Sequence, residues 1–193
     1  MAQVRARWPL TEAIGIELSD AGCKIARRKV PDATFLQRDL VEEAKVPAHF
    51  RNWATHAVCS EVLEHVDRPD QLIRHATAYL APGCRLVVTV PGGPMSAFDR
   101  HIGHRRHYTK QALRALLDEA GLEVEWIAAA GFPFHNLYRL AVMVRGRRLI
   151  GDASGRSSRL MGWISRLFHL AFCMNLRTSP WGWQLVAIAQ VPT

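Results

Sequence analysis

Ala13-Ile14-Gly15-Ile16-Glu17 is a short apolar run that ends in an acid, and it stands close to the start of a chain of 193 residues. The run predicts a β-strand with a carboxylate at its carboxyl end. In α/β folds that bind nucleotides, such a carboxylate holds the ribose hydroxyls and follows a glycine-rich turn by roughly 20 residues. Gly15 is the first glycine of the chain, so the sequence lacks that turn.

Apolar runs alternate with helical patterns from this strand onward. Further strands are predicted over 33–38, 55–59, 85–90 and 124–129, and helices over 19–29, from Pro69 to a turn at Pro82-Gly83, and from Thr109 to Gly121. The order β-α-β-α predicts an α/β fold with a Rossmann-like, mostly parallel sheet and helices on both faces. Because the first strand and its turn are missing, the sheet is expected to be incomplete at its N-terminal side.

The alternation of predicted strands and helices ends at Gly131. Residues 134–150 and 157–176 are predicted to be helical, and 184–191 to form a last strand. We therefore expect one domain over 1–193, with a helical insertion or lid at 132–178. The apolar face of the 157–176 helix favours packing as a lid or between two copies of the chain. Aromatic side chains of Phe132–Tyr138 could line an acceptor pocket, although packing alone explains most of them.

The cysteine spacing, the apolar runs and the net charge limit the expected location and partners of the protein. Four cysteines lie far apart without metal or disulfide spacing, and no run of 18 apolar residues is present, so we expect a cytoplasmic protein. The net charge of +8 comes from the C-terminal third, where residues 131–193 hold eight arginines and one acid. No nucleic-acid motif accompanies this charge, so no nucleic-acid partner is expected, and a membrane-surface role is less favoured than a small-molecule substrate.

Three segments together resemble class I S-adenosylmethionine-dependent methyltransferases. They are Val58-Cys-Ser-Glu-Val-Leu-Glu-His65, the turn and strand Leu80–Pro91, and Asp99-Arg-His-Ile-Gly-His-Arg-Arg-His-Tyr-Thr109. The resemblance runs from about Ala13 to Val191 and departs from the family only at the missing first strand and glycine loop. It implies S-adenosylmethionine as cofactor.

The resemblance also assigns binding roles. Glu17 would hold both ribose hydroxyls, and Asp39 would accept from the adenine amino group. The apolar side chains of Leu18 and Leu40 would pack on the purine. Two further residues would contact the methionine part of the cofactor, Ser60 and Glu61. Helix capping and turn formation explain the same residue types at these positions.

Histidines are the candidate general bases, chiefly His65, His104 and His107, because a base removes the proton of a hydroxyl acceptor. With His101, the last two form an H-x-x-H-x-x-H pattern. The segment is predicted to be a loop and contains two arginines, so no metal site is expected.

The sequence thus predicts methyl transfer from S-adenosylmethionine to a small-molecule acceptor. The alternative is a non-catalytic methyltransferase-like protein or fragment with an impaired cofactor site. In the family the missing strand lies between those ending at Glu17 and Cys59, so two unpaired strand edges and weak cofactor binding are expected. A basic binding module is a third, less supported reading.

Overall fold

The computed structural model describes residues 1–145 and 170–193. Its strands are β1 (Ile14–Glu17), β2 (Thr34–Gln37), β3 (Ala54–Ser60), β4 (Leu80–Pro91), β5 (Glu123–Ala130) and β6 (Gln184–Gln190). Its helices are α1 (Ala2–Arg7), α2 (Asp20–Lys29), α3 (Pro69–Thr77), α4 (Ala97–His101), α5 (Lys110–Glu119) and α6 (Phe134–Arg145). Short 3₁₀ turns lie at Ala48–Phe50 and Leu63–His65.

Hydroxyl side chains set where the helices begin. Ser19 accepts a hydrogen bond from the Gly22 amide at the start of α2, and Thr109 does the same for the Ala112 amide at the start of α5. Each hydroxyl satisfies an amide that has no partner within the helix. These caps confirm both predicted helix starts.

The strands form two separate sheets. β1 and β2 pair in parallel as one sheet, and the other has the order β3-β4-β6-β5. β3 and β4 are parallel, whereas β6 runs antiparallel to both of its neighbours. The polar residues that the sequence singled out, Glu17, Asp39, Ser60 and Glu61, lie at or just after the carboxyl ends of β1, β2 and β3. The Rossmann-like α/β class predicted from the sequence is confirmed.

No strand in the described part of the chain lies between β1 and β3, as expected from the missing first strand. Ala2–Arg7, which precedes β1 in the chain, forms the helix α1. A cavity of about 710 Å³ lies between residues of α1 and the following segment and the start of β3, with Val4 and Trp8 on one side and Trp53 and His56 on the other. Among the described strands, β1 pairs only with β2, and β3 pairs only with β4, so both expected unpaired strand edges are present.

The core lies under the four-stranded sheet. Leu86, Val88 and Val90 of β4 are buried, as are Leu113 and Leu117 of α5. Helix α5 packs against α3, β5 and β6. Side chains of the two-stranded sheet pack against the same core, so both sheets share one hydrophobic layer.

Two predicted boundaries need correction. The helix beginning at Pro69 ends at Thr77, and Pro82-Gly83 lies inside β4 rather than closing the helix. The register shifts there between β3 and β4, and Gly83 has φ of +77°, a backbone angle that glycine adopts without strain. A bulge therefore accommodates a dipeptide that the sequence assigned to a turn.

The insertion is described only in part. Helix α6 matches the start of the predicted 134–150 helix, and residues 170–173 are helical. The remainder of the predicted 157–176 helix, with its dimer or lid role, lies outside the described residues. Within those residues, no helix has the length and apolar character needed to cross a membrane.

Candidate functional site

Glu17 lies at the carboxyl end of β1 and turns back over the start of α2. Its Oε1 accepts hydrogen bonds from the Ser19 amide at 3.2 Å and the Ser19 hydroxyl at 3.3 Å. A side chain at Gly22 would place its Cβ 2.5 Å from Glu17 Cδ, so the carboxylate can keep its present position only beside a glycine. Among the described contacts Oε2 is not engaged, which leaves an acceptor for ribose hydroxyls.

The second predicted adenosine residue follows β2. Asp39 Oδ1 accepts from the Val41 amide at 2.8 Å, which is the turn-forming contact that the residue type also allows. Leu18 is 64% exposed at the end of β1, whereas Leu40 is half-buried. An exposed leucine beside a carboxylate is suited to pack on an apolar ring face. These residues offer carboxylate acceptors and an exposed apolar side chain, which are groups that suit an adenosine.

A pocket of about 440 Å³ lies where β3 and β4 end and β6 begins; we call it the strand-end pocket. Its lining residues are Ser60, Glu61, Thr89, Ala130, Gly131, His135, Phe172, Asn175 and Gln184. Pockets of this size hold small organic ligands. Of the predicted cofactor residues, Ser60 and Glu61 line it.

Hydrogen bonds fix the polar wall of the strand-end pocket. Thr89 Oγ1 donates to Glu61 Oε1 at 2.9 Å, and Gln184 Nε2 donates to the same oxygen at 2.7 Å. Because the Thr89 proton is used in this way, the Ser60 hydroxyl donates to Thr89 Oγ1 at 2.7 Å. Glu61 has φ of 53°, an uncommon angle for a residue with a side chain. The carboxylate is therefore held in one position by neighbours on two other strands.

His135 lines the same pocket and was not among the predicted site residues. Asn175 Oδ1 accepts from the amides of Phe134 and His135 and so fixes the start of α6. His135 Nδ1 is buried without a hydrogen-bond partner among the described residues. Burial lowers the pKa of His135, and the Arg139 cation lowers it further, so the ring is neutral at pH 7.

The predicted histidine bases lie elsewhere, on a loop that is tied to the turn after β3. The Arg105 amide donates to the Glu64 carbonyl at 2.8 Å, and Arg105 Nε donates to the His65 carbonyl at 2.8 Å. Arg106 donates to the carbonyl of Asp67 at 2.9 Å. The guanidinium groups of Arg105 and Arg106, which were expected to oppose cation binding, thus donate to backbone carbonyls, and that of Arg105 also pairs with the Asp67 carboxylate.

This arrangement brings together Glu64, His65, Asp99, His104 and His107, which we call the Glu/His cluster. The rings of His65 and His104 are 4.8 Å apart between centroids. His104 Nδ1 lies 3.2 Å from His107 Nε2. Burial lowers the pKa of His104 and of His107, so both rings are neutral at pH 7. His101 lies on α4, exposed to solvent, and is not part of the cluster.

Glu64 is fully buried, and both of its carboxylate oxygens are without a hydrogen-bond partner in the described part of the chain. Burial, with a smaller effect of the Glu61 carboxylate, raises the pKa of Glu64 to about 7. Burial, followed by the Glu64 carboxylate, raises the pKa of Cys59 to about 12. Cys59 is therefore a neutral thiol at the end of β3, not a nucleophile.

Sequence reasoning missed Thr89, His135, Asn175 and Gln184. His135 lies in the aromatic segment that was considered as a pocket lining, so a signal for it existed. Gln184 gave none, because its place at this edge depends on β6 running antiparallel to β4.

A family model described as a methyltransferase domain matches residues 1–126. The chain belongs to this methyltransferase family. The class I S-adenosylmethionine-dependent assignment made from the sequence is thereby confirmed. A comparison with curated proteins found no match.

Solved structures share the fold at low sequence identity. The [4+2]-cyclase SpnF superposes with a TM-score of 0.60 at 21% identity over 100% of this chain and 70% of the other. A methyltransferase from Archaeoglobus fulgidus gives 0.57 at 17% identity, with coverages of 97% and 79%. Phosphoethanolamine N-methyltransferase 2 from Haemonchus contortus, in complex with S-adenosyl-L-methionine, gives 0.58 at 16% identity over 99% of this chain and 45% of its own. A cyclase and two methyltransferases therefore share this fold.

S-adenosylmethionine is the methyl donor of the class, and the described residues fit it in part. The Glu17 carboxylate, the space kept by Gly22 and the exposed Leu18 suit the adenosine half. The described residues upstream of β1 form α1 and provide no glycine-rich turn for the methionine half.

Proposed function

We propose that this methyltransferase transfers the methyl group of S-adenosylmethionine to a small-molecule acceptor held in the strand-end pocket. The observation that carries the proposal is the pocket itself, which lies at the carboxyl ends of β3 and β4, just as Glu17 and Asp39 lie at or just after the carboxyl ends of β1 and β2. Its volume of about 440 Å³ suits a small organic molecule.

The residues at the strand ends and in the pocket can be assigned roles in this reaction. Glu17, Leu18, Asp39 and Leu40 would hold the adenosine, while Ser60 and Glu61 face the methionine and acceptor. His135 lines the pocket as a neutral imidazole, so we assign to it the role of the general base that removes a proton from a hydroxyl or amine acceptor. The sequence proposes His65, His104 and His107 as bases, but these three histidines do not line the pocket.

The test is methyl transfer from labelled cofactor, supplied at millimolar concentration, to panels of phenols, aliphatic alcohols and amines. We expect turnover with at least one panel and a loss of about 10²–10⁴-fold in His135→Ala, the range for removal of a general base. His101→Ala is the matched control, since His101 is exposed on α4.

Transfer to RNA or protein but to no small molecule would contradict the proposed acceptor class. No transfer to any acceptor would favour the non-catalytic alternative. The cytoplasmic location and the single-domain organisation with its insertion are also proposals.

A further inference from the structure

We propose that Glu64, His65 and His104 form a binding site for one divalent first-row transition-metal cation, with Zn²⁺ as the probe. One ligand atom from each of the three side chains lies within 4.8 Å of the other two. Two imidazoles and a carboxylate are a common zinc ligand set that leaves a coordination position open.

The buried Glu64 carboxylate is the first step of the argument. Buried polar side-chain atoms are almost always hydrogen-bonded, and an unpaired buried carboxylate is costly. Both oxygens of Glu64 are nevertheless without a partner among the described residues, and the nearest potential cation is His65, with Nε2 at 3.9 Å from Oε1. A bound divalent cation would satisfy these oxygens and balance the neighbouring Glu61 carboxylate.

The tautomer of His104 is the second step. His107 Nδ1 lies 3.2 Å from the Gly93 carbonyl, which only accepts, so Nδ1 carries the proton and Nε2 has a lone pair. His107 Nε2 therefore accepts from His104 Nδ1 at 3.2 Å. This leaves the lone pair of His104 on Nε2. Metal-binding histidines are held in the same way, with the other ring nitrogen donating to a neighbour.

The three ligand atoms lie within 4.8 Å of one another and must move closer together to bind one metal ion. In a tetrahedral site with metal bonds of about 2.0–2.1 Å, two ligand atoms are separated by about 3.3 Å. The present separation between His65 Nε2 and Glu64 Oε1 is 3.9 Å. The side chain of His65 is 40% exposed, so a cation can enter from solvent and keep a water ligand.

Asp99, the other acid of the Glu/His cluster, is not proposed as a metal ligand because its carboxylate already has partners. Asp99, His104 and His107 also lie within ligand distance of one another. Both Asp99 oxygens are 3.1 Å from Arg139 Nη2, and Oδ2 also accepts from the Ser96 amide and hydroxyl. Asp99 is thus already paired with a cation, whereas Glu64 is not.

The test is titration of the metal-stripped, tag-free full chain with Zn²⁺, in competition with a chelator, in the presence of a reductant that does not bind metal. We expect one Zn²⁺ per chain with a dissociation constant in the micromolar range or tighter. Glu64→Gln and His104→Gln should each weaken binding at least tenfold. His107→Gln, which removes the partner that fixes the tautomer, should weaken it by about 10–100-fold.

His101→Gln is the matched control, because this histidine is exposed and outside the cluster, and its affinity should equal that of the wild type. Near-UV circular dichroism identifies any variant that loses its fold; in that case Glu64→Gln, which only replaces a buried carboxylate by an amide, decides the question. Absence of stoichiometric binding by the folded wild type would overturn the proposal. So would equal affinity in Glu64→Gln, or a Co²⁺ spectrum with thiolate charge-transfer bands, which indicates binding to cysteine. None of these outcomes depends on methyl transfer.

Discussion

At the scale of single residues, Glu64 makes the stability of the metal-free protein depend on pH. Its pKa is raised from 4.5 to about 7, so between these values the folded state holds a proton that the unfolded state has lost. Stability therefore falls as the pH rises through this window. As the pH rises from 4 to 8, the free energy of unfolding of the wild type should fall by on the order of 3 kcal/mol relative to that of Glu64→Gln, which has no carboxyl to titrate at this position.

The measurement is urea unfolding at several pH values in the presence of a chelator. Glu119→Gln, which replaces an exposed carboxylate on α5, should keep the pH profile of the wild type. Parallel profiles for the wild type and Glu64→Gln would show that this carboxyl titrates alike in the folded and unfolded chain.

At the scale of elements, β3 is an interior strand by sequence but an edge strand in this structure. Val58 on β3 is 69% exposed, and the edge of β3 facing β1 is unpaired. Open edges with exposed apolar side chains promote pairing between chains, and lysine suppresses it. We expect Val58→Lys to reduce concentration-dependent association, measured by size exclusion with light scattering, with a stability change within about 0.5 kcal/mol.

The matched variant is Val144→Lys, which adds the same charge at an exposed valine of α6. Reduced association in both variants would attribute the effect to net charge rather than to the open edge.

The same elements show how far sequence reasoning reaches. Strand ends at Glu17, Asp39 and Ser60 were predictable, because apolar runs followed by polar residues depend on local pattern alone. The bulge at Gly83 was not, because it depends on how β4 pairs with β3. The contact between His65 and His104 was not predictable either, since it depends on Arg105 bonding across 40 residues to the His65 carbonyl.

At the scale of the whole molecule, the candidate cofactor site is divided between two sheets. Glu17 and Asp39 follow strands of the two-stranded sheet, whereas Ser60 and Glu61 follow a strand of the other. The sheets are linked through α3, where His75 Nδ1 donates to the Leu40 carbonyl at 2.8 Å, and through the ion pair of Arg68 with Glu42 at 2.8 Å.

A ligand that spans the two sheets must fix their separation without the help of strand pairing between β1 and β3, and the loss of conformational freedom on binding lowers its affinity. We expect S-adenosylhomocysteine to bind the chain more weakly than micromolar by titration calorimetry. At millimolar ligand, amide chemical shifts should change around Glu17, and Glu17→Gln should reduce these changes while Glu119→Gln leaves them intact. Micromolar affinity in the wild type would mean that the divided sheet is already ordered for the cofactor, and that the open edges of β1 and β3 do not limit binding.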